Sequence, residues 1–142
     1  MRFAHTFRLA AAAALLSGAV ACDRSPTAGD HADPTAVSLT VGAQSLTVTS
    51  TGVQTGTLSL AQGSHAVVVA WLDADGDAIT NPGSGMSLQI VAAAGTSGVS
   101  FTPSGLFGGT LSATTAGQKT MSVRLMHGTH ADFSQTVTFT VQ

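Results

Sequence analysis

The run Thr136-Val-Thr-Phe-Thr-Val141 alternates a small hydroxyl residue with a large apolar one at every step. That is the period of a strand with one wet face and one buried face. Met121, Val123 and Leu125 alternate with Ser122 and Arg124 in the same way. From Ala36 onward the chain is built of such short runs, punctuated by Gly, Asn and Pro about every 8 to 12 residues, and no segment carries a convincing amphipathic helical period. The spacing predicts an all-β domain, a sandwich or barrel, with strands over 37–41, 45–49, 54–60, 66–72, 87–92, 99–101, 109–113, 120–126 and 133–141. Composition agrees: there is no Glu or Tyr, and Thr, Ser, Gly, Ala and Val are abundant. Trp71 closes the most apolar strand and is expected in the core. Gly105, Gly108 and Gly109 flank Phe107 and are expected to mark a bend or bulge rather than a ligand cradle.

The N-terminal part follows a different logic. Arg2 and Arg8 are followed by an unbroken Leu/Ala run from Leu9 to Leu16, which is the order of an export signal. The apolar segment from Leu9 to Ala21 is too short to span a bilayer core, which takes about 20 residues. It ends in Ala19-Val20-Ala21-Cys22, which resembles the lipobox of bacterial lipoproteins, with Ala19 where Leu is usual. The resemblance implies cleavage before Cys22 and lipidation of its thiol. Cys22 is the only cysteine, so no intramolecular disulfide can form. Residues 1–21 are therefore expected to be a signal peptide and 22–35 a lipidated Cys with a flexible tether rich in Pro, Gly, Ser and Asp. Residues 36–142 are expected to form one domain, exported and anchored by lipid to a bacterial membrane on its periplasmic or cell-surface side. From Cys22 onward, three cations (Arg24, Lys119, Arg124) stand against seven aspartates, a net charge of −4. Such a surface does not attract nucleic acid.

Three stretches carry a second resemblance: Ala66-Val-Val-Val-Ala-Trp-Leu-Asp-Ala-Asp-Gly-Asp77, Met86-Ser-Leu-Gln-Ile-Val91 and Gly117-Gln-Lys-Thr-Met-Ser-Val-Arg-Leu125. Over roughly residues 53–142 the chain resembles the bacterial immunoglobulin-like domains of surface proteins. That implies an immunoglobulin-like antiparallel β-sandwich of about 7–9 strands, and it bears on fold more than on function.

Chemistry concentrates in His127-Gly-Thr-His-Ala-Asp132, expected to form the loop between the last two strands. Two imidazoles and a carboxylate suit Zn or Cu, and Gly128 lets the loop fold back so that both rings reach one side. The His-Ala-Asp tripeptide recurs at His31 and Asp33, which would complete a five-ligand set if the first two strands form a hairpin that brings the tether to the same pole. Without a metal, the same histidines would be solvated turn residues. His65 is expected at a strand edge. Asp73, Asp75 and Asp77 imitate the start of a calcium loop, but Ala78 and Ser84 stand where that loop needs Gly and a bidentate acid, so a plain Asp/Gly turn is the expectation. No nucleophile elbow, zinc-protease helix or phosphate loop is present, and no enzyme is expected. Two functions fit: a non-catalytic envelope module binding a transition metal, or a metal-independent structural or adhesion module binding envelope protein or polysaccharide.

Overall fold

A computed structural model describes residues 33–142; the signal, Cys22 and His31 lie outside the described residues. The described chain is all-β, with ten strands: β1 (Ala36–Val41), β2 (Gln44–Thr49), β3 (Gln54–Gly56), β4 (Ser59–Leu60), β5 (Gly63–Leu72), β6 (Met86–Ala92), β7 (Val99–Gly105), β8 (Gly108–Ala113), β9 (Gly117–His127) and β10 (His130–Val141). Two sheets face each other, one ordered β3-β2-β1-β5-β8-β7 and the other β4-β10-β9-β6. Their inner faces form a single apolar core.

Nine predicted strands become ten because 54–60 is not one strand. Gly56 takes φ +77°, and a Cβ there would strike the Ser45 carbonyl. The chain leaves the six-stranded sheet at that point, and Leu58 and Leu60 turn into the core. Ser59 and Leu60 then pair with Thr140 and Val141 in the other sheet. This short pairing is parallel, so the sandwich is antiparallel everywhere but there. The Gln54 side-chain amide donates to the Thr138 carbonyl and accepts from the Thr138 amide at 2.8 and 2.9 Å, doing the work of a missing backbone rung between the sheets.

Alternation decides the inner faces. Met121, Val123 and Leu125 of β9 and Phe133, Val137, Phe139 and Val141 of β10 are buried, while the residues between them are partly or fully exposed. Trp71 is fully buried, as its position predicts. Its ring meets Phe133 edge-on at 5.7 Å, and its indole N–H donates to the Leu106 carbonyl at 3.1 Å. His65 lies within β5, partly buried, with Nε2 at 2.8 Å from the Ala61 carbonyl.

The Gly105 to Gly109 segment is the β7–β8 turn, and a register shift between Pro103 and Gly105 bends the edge strand. Pro103 and the bend limit pairing of another strand along this edge. Gly109 is needed for lack of space: a Cβ would stand 2.6 Å from Phe101 Cζ and closer still to the Thr102 carbonyl. Gly109→Ala should therefore cost about 1–3 kcal/mol in urea unfolding, and a change within error would contradict this packing.

β1 and β2 form an antiparallel hairpin, and the start of β1 at Ala36 lies beside Leu72, where β5 ends. Pro34 is buried, and Thr35 donates its amide to the Leu72 carbonyl and its hydroxyl to the Asp73 carbonyl, so the sandwich already holds these two residues ahead of β1. The Trp71–Phe133 contact puts the start of β10 at that same pole.

Candidate metal centre

β9 and β10 are joined by only two residues, Gly128 and Thr129, so His127 and His130 are strand ends facing each other across a tight hairpin rather than members of a wide loop. Gly128 has φ +60° at the first turn position, where a two-residue hairpin turn favours glycine. Directly opposed residues share a face, and the two rings stand 5.4 Å apart between centroids.

His127 continues the inner-facing parity of Leu125. On β10 the inner parity of Phe133 would ordinarily pass to Ala131. A register shift between Ala131 and Phe133 makes Asp132 an extra residue, and the bulge switches the parity so that His130 pairs with His127. Gly128 and the bulge together gather the three side chains. One nitrogen from each imidazole and one Asp132 oxygen all lie within 4.8 Å of one another, a group that could hold a metal ion.

His130 Nε2 stands 2.9 Å from Asp132 Oδ1, an ion pair when the ring is protonated. The imidazole is largely in solvent, at 68% side-chain exposure, whereas the carboxylate is at 14%. Asp132 Oδ2 is buried with no hydrogen-bond partner among the described residues. Leaving a buried acceptor unpaired costs about 1–3 kcal/mol. A cation beside Oδ2 would remove that cost, so the donor set fits a metal. Tetrahedral bonds of about 2.0–2.1 Å need donor atoms about 3.4 Å apart, so side-chain rotation has to close the remaining gap.

Asp33 is exposed at the same pole but does not belong to this group, and His31 lies outside the described residues. Asp73, Asp75 and Asp77 form a turn. Asp73 Oδ1 accepts the amides of Asp75 and Asp77 at 3.0 and 2.9 Å, and Gly76 takes φ +86°. One residue at the centre escaped sequence reasoning. Met86 opens β6 directly opposite His127, so Met86, His127 and His130 form one row across three strands. The β6–β9 register is a tertiary fact that no local spacing reveals.

No protein-family model matches the chain, and comparison with curated proteins returns no match.

Proposed function

We propose that the chain is a non-catalytic, lipid-anchored module of the bacterial cell envelope that binds a transition metal, Zn or Cu, through His127, His130 and Asp132. The observation that carries the metal reading is the buried, unpartnered Asp132 Oδ2 beside two imidazoles. The repeated His-Ala-Asp tripeptide supports His31 and Asp33 as further ligands. The anchor rests on the lipobox-like Ala19 to Cys22, and an immunoglobulin-like type of sandwich rests on the three matched stretches.

Asp132→Asn should weaken Zn²⁺ binding by about 10- to 100-fold in calorimetry of the mature polypeptide, residues 22–142, with Cys22→Ser to remove the competing thiol. Unchanged affinity would exclude the carboxylate from the site. Acidification should weaken binding as well, because ligands must give up their protons to the metal. The anchor has its own test: in cells, Cys22→Ser should move the protein out of the detergent-soluble membrane fraction or leave it unacylated. Undiminished acylation would refute lipidation at Cys22.

One surface feature favours the metal-independent alternative. Val68 and Phe107, 60% and 41% exposed, border one shallow depression at the β5 and β8 side of the larger sheet. Capture of a protein or polysaccharide from envelope fractions, lost on Val68→Ser with Phe107→Ser and indifferent to chelator, would support a binding module of that kind.

A further inference from the structure

We infer that Met86 supplies a thioether ligand to the His127–His130 pair and thereby makes the site selective for Cu(I) over Zn²⁺; this rests on the metal-binding reading above. Met86 pairs with His127 across β6 and β9, and His127 pairs with His130 across β9 and β10. Directly opposed residues project from the same face with Cβ atoms about 4.5–5.5 Å apart, so sulfur and two imidazoles leave the sheet side by side. Met86 is half-buried, packs against the core and lines a cavity of about 230 Å³ with Leu88, Pro103 and Leu106. An unbranched side chain with three rotatable bonds can turn its sulfur from that cavity toward the neighbouring ring.

Gly85 keeps the space beside the row open. A Cβ at that position would already be in contact with the His127 ring, at 3.5 Å from Cδ2, and φ +76° favours glycine there. Ligand chemistry then sorts the metals. Zn²⁺ accepts imidazole and carboxylate and gains little from a thioether, whereas soft sulfur ligands select Cu(I). With Cu(I), two imidazoles and Met86 Sδ form the bonding set. Asp132 Oδ1, 2.9 Å from His130 Nε2, stays beside that nitrogen and steadies the ring, which leaves Nδ1 for the metal. Zn²⁺ would instead engage the carboxylate.

The test compares the mature polypeptide carrying Cys22→Ser with the same chain carrying Met86→Leu as well. Leucine nearly conserves volume, so the fold should survive, and a urea transition checks this. Cu(I) affinity is read anaerobically against a chromogenic chelator, and Zn²⁺ affinity by calorimetry. Met86→Leu should weaken Cu(I) by roughly tenfold or more and leave Zn²⁺ within a factor of about two. Equal Cu(I) affinity in both folded chains would overturn the role of Met86 while leaving the metal site standing. Equal losses for both metals would show a packing effect and overturn the selectivity. Absence of binding by either metal in the parent would overturn the site itself.

Discussion

Trp71→Ala should cost about 3–5 kcal/mol of unfolding free energy, the largest loss expected from any single truncation in this chain. The side chain is fully buried on β5 of the six-stranded sheet and meets Phe133 of the facing sheet edge-on. Its indole N–H satisfies the Leu106 carbonyl in the β7–β8 turn. Truncation therefore opens a large cavity, unpairs a carbonyl and loosens both sheets at the pole that carries His127 and His130. Urea unfolding measures the loss directly. A change below about 1 kcal/mol would mean that this pole is not packed as described.

The second large effect is linkage between metal and fold. A ligand that binds only the native state at about 100 times its Kd adds about 2.7 kcal/mol of stability. Zn²⁺ or Cu²⁺ should therefore raise the thermal midpoint of a polypeptide of residues 22–142 carrying Cys22→Ser by several degrees. His127→Ala with His130→Ala should abolish the rise. The same double substitution should change metal-free stability only modestly, because His130 is exposed and neither ring belongs to the apolar core. A midpoint that rises equally in parent and double variant would place the metal elsewhere.

What could be read from the sequence divides along physical lines. The alternation of Thr136 to Val141 and of Met121 to Leu125 reported strand faces directly, since a period of two is local. Trp71 was identifiable as core from the apolar strand that it closes. The 54–60 run misled because Leu58 and Leu60 prolong the pattern past Gly56, while the change of sheet depends on contacts with Ser45 and Thr140. At the site, the residue types and Gly128 were visible as a cluster. The bulge at Asp132 was not, because an extra residue is defined only against a partner strand. Met86 was invisible for the same reason: forty-one positions separate it from His127, and only the β6–β9 register joins them. Asp73 to Asp77 was readable as a turn because Asp and Gly close it by hydrogen bonds within the segment.

The central claim is that His127 and His130 hold a metal together. Isothermal calorimetry of residues 22–142 with Cys22→Ser, titrated with Zn²⁺ and with Cu²⁺ beside the His127→Ala, His130→Ala variant, tests it most directly. One metal per chain at micromolar or tighter Kd, weakened by roughly 100-fold or more in the double variant, is the predicted result. Binding no tighter than about millimolar in the parent, or equal binding in the variant, would contradict it.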